Sequence, residues 1–281
     1  MASDSNGTAP NALRLQAPGG GEIQATAFGA HALSWHCRGQ ERLYLSPRAS
    51  FGAGKAIRGG VPVIFPQFGE RGDGPRHGFA RTLDWQVLDT TGSKLPRLAF
   101  RLSDSEQTRI RWPHRFEAVL SLEPGENRLR IALNVHNSDS TAFQFTAALH
   151  TYLRVADVAG TLVHGLERSP FLDCVRGNEP QPAADAPVRF EGEVDRIYAD
   201  TVGTVRVTDG VDLLRIEAEG FADTVIWNPG AELAAGMGDL GAGEYGRFVC
   251  IEAAQVLKPV HLDPGASWSG AQILTVEDPV T

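Results

Sequence analysis

Apolar and polar residues alternate with a period of two over much of the chain, and the clearest case predicts a hairpin. Two arms flank the turn residues Pro124 and Gly125. The apolar positions on these arms are Phe116, Ala118, Leu120, Leu122, Leu129, Ile131, Leu133 and Val135. Period two on both sides of a Pro-Gly turn predicts an antiparallel β-hairpin.

Residues 141–155 repeat this alternation and predict another long strand. One face carries Phe143, Phe145, Ala147, Leu149 and Leu153, and the other carries Gln144, Thr146, His150, Tyr152 and Arg154. The first face predicts a core-facing surface, so His150 is expected on the opposite side of its strand.

Shorter strand-like runs with turn signals at close spacing fill the rest of the chain. They cover residues 22–28, 32–37, 42–46, 84–89, 98–103, 204–209, 211–217, 224–227, 248–253 and 267–276. Residues 231–237 predict one or two helical turns, and residues 179–187 predict a loop. Because neither a long amphipathic helix nor βαβ alternation is found, we predict an all-β fold, a large antiparallel sandwich with few short helices. Residues 1–12 are expected to be a disordered lead-in, and residues 13–281 a single domain.

Composition and charge narrow the function. The 281 residues carry a formal net charge of -8, which argues against broad nucleic-acid binding. Three widely spaced cysteines without a CxxC pair argue against a disulfide framework and against a structural zinc site. The start of the chain has no apolar signal-peptide core, and no apolar run is long enough to span a membrane. We therefore expect a cytoplasmic protein that does not bind membranes.

Residues 56–81 combine cations with conformationally special residues. The segment holds Arg58, Arg71, Arg76, His77 and Arg81 among six glycines and three prolines. Arginine matches phosphate and carboxylate oxygens with a planar fork of donors, and glycine lets the backbone approach a ligand. The segment therefore predicts a site for an anionic small molecule, with a solvated surface loop as the alternative.

Two further side chains could carry chemistry. The unperturbed pKa of histidine lies near neutrality, so His150 could give or take a proton, although a hydrogen-bonded surface or cleft histidine would show the same pattern. Glu252 stands inside the apolar run 248–254, where a carboxylate is costly unless it is paired or functional. Alternation puts Glu252 and Cys250 on one face of that strand and Val249 and Ile251 on the other. A structural buried acid is the alternative for Glu252.

Asp195 and His77 are weaker candidates. Asp195 could orient a hydroxyl or a histidine, or merely pair with Arg196, and His77 could contact a sugar hydroxyl or be an ordinary loop histidine. The remaining histidines lack metal-ligand spacing, so we expect no metal. One imidazole and one carboxylate without a nucleophile motif suit proton transfer, such as the opening of a sugar ring.

Several segments together resemble the hexose-6-phosphate mutarotase (glucose-6-phosphate 1-epimerase) family of the galactose-mutarotase-like superfamily. The matching segments are GKAIRGGVPVIFPQFG, HGFAR, ALHTYL, DRIY, VIWNP, VCIEAA and PGASWSGAQIL. They span residues 54–274, which is nearly the whole chain.

The resemblance implies a β-supersandwich and a role for each candidate residue. His150 would be the general acid and Glu252 the general base. Asp195 falls at a substrate-contacting carboxylate, and His77 at a further active-site histidine. Arg58 and Arg81 fall at arginines taken to hold the phosphate. Arg76 stands where some members have glutamine, so its role is open, and Arg71 receives no role.

We therefore predict an isomerase that interconverts the α and β anomers of a hexose 6-phosphate. The partner would be a small sugar phosphate, without a cofactor, and we expect a monomer. Two alternatives remain at this point. The protein could be an aldose mutarotase for unphosphorylated sugars, or a non-catalytic sugar-phosphate binder on the same fold.

Overall fold

The computed structural model describes residues 11–52, 54–201, 203–210 and 212–278. Most of the predicted lead-in, residues 1–10, lies outside the described residues. Ordered strand structure begins at Leu13.

The described residues form mostly short strands. The first ten are β1 Leu13–Gln16, β2 Glu22–Thr26, β3 His31–Cys37, β4 Gln40–Glu41, β5 Val63–Ile64, β6 Gln86–Val87, β7 Leu98–Ser103, β8 Phe116–Pro124, β9 Arg128–Asn137 and β10 Phe143–Leu149. The following ten are β11 Tyr152–Arg154, β12 Leu162–His164, β13 Phe171–Asp173, β14 Glu179–Gln181, β15 Val194–Tyr198, β16 Val205–Thr208, β17 Leu213–Glu219, β18 Asp223–Asn228, β19 Phe248–Leu262 and β20 Ser267–Glu277.

The helices in this part of the chain are short. They are α1 Glu106–Arg111, α2 Gly230–Ala235 and the 3₁₀ turns Ala80–Thr82, Val158–Gly160 and Glu244–Arg247. Helix α2 confirms the predicted helical turn. Helix α1 was not predicted; its start is fixed by reciprocal side-chain capping between Ser105 and Thr108.

Antiparallel pairing gathers the strands into three sheets. Strands β1 to β4 form a small sheet in chain order. The sheet that we call the β19 sheet has the order β14-β13-β15-β18-β19-β10-β5, with β11 also paired to β19. The sheet that we call the β20 sheet has the order β12-β16-β17-β20-β9-β8-β7-β6. The antiparallel all-β prediction and the 116–135 hairpin, now β8 and β9, are confirmed.

The main core lies between the sheets and fixes which face of each strand looks outward. Phe145 and Leu149 of β10 pack into it, as do Val249 and Ile251 of β19. Burying these side chains leaves the alternate positions on the opposite face of the β19 sheet. The predicted faces of both strands are thereby confirmed.

Three local predictions are wrong. Residues 141–155 do not form one strand, because β10 ends at Leu149 and β11 begins at Tyr152. Residues 42–46 make isolated bridges instead of a ladder, since Leu43 pairs with Leu153 while Leu45 pairs with Gly59. The predicted loop 179–187 begins with strand β14, which pairs with β13. No helix within the described ranges is long and apolar enough to cross a membrane.

Candidate active site

A tight turn at His150 separates β10 from β11. The Thr151 N–H donates to the Leu149 carbonyl oxygen at 2.9 Å, which closes a three-residue turn centred on His150. The His150 N–H donates to the carbonyl oxygen of Pro62 at 3.1 Å, and the Ile251 N–H donates to that of Thr151 at 3.1 Å. The turn replaces the regular ladder at this point and holds His150 beside β19.

His150 and Glu252 are in direct contact. His150 Nε2 lies 3.3 Å from Glu252 Oε1, and the two side chains are 10% and 1% exposed. Glu252 projects from β19, where its Cα partner is Val225 of β18. Two residues that the sequence places about a hundred positions apart therefore form one buried acid–base pair.

Burial sets the charge state of this pair. Removal from water raises the pKa of Glu252 well above its usual value, an effect that Asp195 reinforces and Arg81 opposes. Burial also lowers the pKa of His150 well below its usual value, helped by His77, Arg81 and Arg58. We infer that the pair holds one proton, either as carboxylic acid beside neutral imidazole or as carboxylate beside imidazolium. Burial favours the uncharged form.

One polar atom of each partner is available to a substrate. Glu252 Oε2 and His150 Nδ1 are buried and lack a hydrogen-bond partner within the described part of the chain. Buried polar atoms without partners are costly, so a ligand hydroxyl that reaches them gains from pairing with them.

Aromatic rings surround His150. The ring of Tyr152 stacks on it with centroids 4.9 Å apart and an interplanar angle of 13°. The rings of Trp227 and His77 meet it edge-on, with centroids 5.7 and 5.9 Å away. These contacts restrict the imidazole to one orientation.

His77 is held by the loop that carries it. We call residues 69–78 the arginine loop, since it also carries Arg71 and Arg76. The Gly69 N–H donates to His77 Nδ1 at 3.2 Å. Burial, together with Arg81, Arg76 and Arg58, lowers the pKa of His77 to about 3. His77 is therefore neutral at pH 7, and because Nδ1 accepts, Nε2 carries the proton and is a donor.

Both ends of the arginine loop are fixed to the β19 sheet. Phe68 donates its N–H to Thr146 Oγ1 at 2.7 Å, and the Gln67 side chain bonds both the N–H and the carbonyl of Gly74. Gly78 has a φ of +68°, and a Cβ there would lie 2.1 Å from the Phe65 carbonyl oxygen. Only glycine allows this close return of the loop.

The three predicted arginines differ in how they are paired. Arg58 donates to Tyr152 Oη at 2.9 Å and to Asp239 through Nε and Nη2, at 3.2 and 3.1 Å. Arg81 donates to the Arg76 carbonyl oxygen at 3.0 Å. Burial lowers the pKa of Arg81 to about 10. The neighbouring cations Arg58 and Arg76 also lower this pKa, whereas Tyr152 raises it.

Arg76 and Arg81 are cations at the site that form no ion pair with any described residue. Arg81 Nε is buried and lacks a partner among the residues that the structure covers. Arg76 is exposed at the rim of the site. The cluster is therefore poised to accept an anion.

Asp195 lies in a row of residues that pair across adjacent strands and end at the site. Its Cα partner on β18 is Trp227, whose partner on β19 is Cys250, which pairs in turn with Tyr152. Residues opposite each other in adjacent strands share a face, so Asp195 lies on the face that carries the pair. Burial raises the pKa of Asp195 above its usual value.

Of the seven predicted residues, His150 and five others lie together at the site, next to His150 or to the aromatic rings that surround it. Arg76 lies at the rim of the site. Sequence reasoning missed Tyr152, Trp227 and Asp239. Tyr152 lies two positions after His150, and strand alternation places both side chains on the same face, so the pattern could have identified it. Asp239 pairs with Arg58 across 181 positions of the chain, and no local pattern indicates that contact.

Comparison with known proteins supports the fold and the family. The family model for aldose 1-epimerase matches residues 11–275. A crystal structure of a galactose mutarotase-like protein from Lactobacillus casei superposes with a TM-score of 0.74 at 16% identity, covering 95% of this chain and 100% of that one. The galactose mutarotase-like fold is thereby confirmed.

Nearer relatives carry more specific names. A protein of Cenchrus ciliaris, provisionally named a glucose-6-phosphate 1-epimerase, is 36% identical over 86% of this chain and 78% of its own. An Escherichia coli K12 protein with the same provisional name is 37% identical, over 83% and 82%. The crystal structure of YeaD from Salmonella typhimurium, provisionally described as a mutarotase, has a TM-score of 0.87 at 31% identity, over 95% and 90%. The chain therefore belongs to the aldose 1-epimerase family.

Proposed function

We propose that this isomerase interconverts the α and β anomers of a hexose 6-phosphate, with glucose 6-phosphate as the expected substrate. The observation that carries the proposal is the buried contact between His150 and Glu252 next to unpaired arginines. The names of the relatives from Cenchrus ciliaris and Escherichia coli point to the same substrate.

The reaction needs one base and one acid at the same time. Transfer of the shared proton from Glu252 to His150 produces a carboxylate and an imidazolium, which are that base and that acid. The carboxylate removes the proton of the C1 hydroxyl, the bond between C1 and the ring oxygen breaks, and His150 protonates the ring oxygen. Rotation about C1–C2 in the open aldehyde, followed by the reverse transfers, gives the other anomer.

The surrounding residues bind and orient the sugar phosphate. Arg81 and Arg76 offer unpaired cations to the phosphate, and Arg58 offers the guanidinium hydrogens that Tyr152 and Asp239 leave unused. His77 Nε2 and Asp195 hold sugar hydroxyls. Binding the remote phosphate places the ring for proton transfer.

Glu252→Gln tests the mechanism. Because the amide cannot accept the hydroxyl proton, we expect kcat for glucose 6-phosphate anomerisation to fall by about 10²–10⁴-fold while binding persists. NMR exchange spectroscopy between the two anomers measures the rate, and calorimetry measures binding. Glu219→Gln, at an exposed carboxylate that pairs with Arg130, is the matched control. Full activity of Glu252→Gln would rule out this mechanism.

The family description, aldose 1-epimerase, favours one alternative substrate, an unphosphorylated aldose. The arginine cluster argues against it, because a neutral sugar does not need cations. Rates on glucose and on glucose 6-phosphate separate the two substrates. A protein that bound the phosphate without accelerating anomerisation would instead be a non-catalytic binder.

A further inference from the structure

The arginine loop reaches across the candidate site to a turn at the far edge of the β19 sheet. The loop follows β5, at one end of the strand order, and the turn 173–178 joins β13 to β14, at the other end. Arg71 Nη2 nevertheless donates to Asn178 Oδ1 at 2.9 Å. The two edges of the sheet are thus joined over the face that carries His150 and Glu252.

Apolar packing beneath this contact supports the bridge. Phe68, which precedes the arginine loop, lies in one buried cluster with Val225 and Ile197 of the β19 sheet. Cys174, from the turn 173–178, packs against the same cluster. The Arg71–Asn178 hydrogen bond therefore covers an apolar contact between the two segments.

The turn 173–178 is connected to Asp195. The Cys174 N–H donates to the Asp195 carbonyl oxygen at 2.8 Å. The Cys174 thiol also forms a hydrogen bond with the Asp195 carboxylate. Cys174 Sγ also lies 3.5 Å from Asn178 Oδ1. Burial and Asp195 raise the pKa of Cys174 to about 12, so the thiol keeps its proton and is a donor.

We propose that Arg71 and Asn178 form a latch that positions Asp195 and the arginine loop for the sugar. Arg71 is then a positioning residue, acting through Asn178 and Cys174. This inference rests on the proposed function for its kinetic consequence. Opening the latch loosens two substrate-contacting segments and leaves the His150–Glu252 pair in place, so KM changes and kcat does not.

Steady-state kinetics on glucose 6-phosphate test the latch with Arg71→Ala and Asn178→Gly. Glycine is chosen because Asn178 has a φ of 65°, which other residues adopt at a cost. Loss of one charge-assisted hydrogen bond is expected to raise KM about tenfold in each variant, with kcat unchanged. The double variant should lose no more than either single one, because both remove the same interaction. Arg176→Ala, at an exposed arginine on the same turn, is the charge-matched control.

Other results would overturn the latch. If Arg71→Ala raises KM for glucose 6-phosphate alone and Asn178→Gly changes nothing, Arg71 binds the phosphate directly. If both variants keep the wild-type KM, the hydrogen bond positions nothing. The latch also predicts a higher KM for glucose, because Asp195 contacts hydroxyls that both sugars share.

A readout without substrate separates failure of the latch from failure of the proposed function. If wild-type protein does not accelerate anomerisation, the proposed function is wrong whatever the variants do. The latch is then tested by the rate at which iodoacetamide alkylates Cys174, followed by mass spectrometry. Arg71→Ala should speed alkylation severalfold by opening the turn, although loss of the nearby cation alone would slow it. An unchanged or slower rate would contradict the latch.

Discussion

His150 and Glu252 meet where ionising either side chain alone is costly. Both are buried, and removal from water opposes the charged form of each. Passing a proton from one to the other requires no exchange with solvent and produces the acid and the base together. The nearby Arg81 favours the carboxylate, so a substrate that pairs with the arginines also changes the balance within the acid–base pair.

At the same scale, Arg81→Ala should separate phosphorylated from unphosphorylated sugars. Arg81 has a buried Nε without a partner in the described chain, and its pKa is lowered to about 10. Removing it should weaken glucose 6-phosphate binding about 10- to 100-fold, as expected for a hydrogen bond to a charged group, and leave glucose nearly unaffected. Calorimetric titration with both sugars measures this.

Arg101→Ala is the control for that experiment, since Arg101 is a partly exposed arginine of the β20 sheet that pairs with Glu117. Equal losses for glucose and glucose 6-phosphate in Arg81→Ala would remove the phosphate assignment.

Residue type and strand parity were enough to nominate His150 and Glu252 from sequence. Their contact depends on the turn at His150, which local alternation does not encode.

At the scale of elements, the break between β10 and β11 is supported from the other sheet. Gln272 of β20 accepts a hydrogen bond from Thr151 Oγ1 at 2.5 Å and donates to the Ile251 carbonyl oxygen at 2.9 Å. The alternation of apolar and polar residues predicted where most strands lie, because burial of one face of a sheet requires an apolar residue at every second position. It could not predict this break, because the Gln272 side chain that supports it lies more than a hundred positions away in the sequence.

Gln272→Leu should therefore destabilise the protein and slow the reaction. The change leaves the Thr151 hydroxyl and the Ile251 carbonyl buried without this partner, which costs at least about 2 kcal/mol of unfolding free energy. Because the turn at His150 is then less well held, kcat should fall about tenfold or more. Urea unfolding and the anomer-exchange rate measure the two effects.

Thr275→Val is the matched control on the same strand. Thr275 Oγ1 is buried and already lacks a partner among the described residues, so losing it should cost little. Similar losses of stability in both variants would mean that the bridge between the sheets contributes nothing specific.

For the whole molecule, the sequence predicted the class of fold better than it predicted which strands lie next to each other in the sheets. Alternation indicated an antiparallel all-β chain, yet the strand orders of the two large sheets join segments distant in sequence, such as β5 beside β10 and β20 beside β9. Those pairings depend on which faces fit together in the core. Net charge was likewise a poor guide to the site, since an overall charge of -8 accompanies a local cluster of cations.

Acid should destabilise the fold through histidines that are buried in the neutral form, and His31 gives the cleanest test. Its Nε2 lies 2.7 Å from the Gly59 carbonyl oxygen, and burial lowers its pKa from 6.5 to about 4. The unfolded chain takes up the proton first as pH falls, so this contribution to stability is complete above pH 6.5 and lost as pH falls to about 4. The difference corresponds to about 3 kcal/mol.

His31→Gln keeps a donor for Gly59 but removes the titrating ring. We expect the free energy of unfolding of this variant to fall less than that of the wild-type protein between pH 7 and pH 4, by about 3 kcal/mol. Urea unfolding at several pH values in this range measures the two curves, and their separation at pH 7 gives the cost of the substitution itself. Parallel curves would show that the pKa of His31 is nearly the same in the folded and the unfolded chain, and the acid sensitivity would then lie with other groups such as His77.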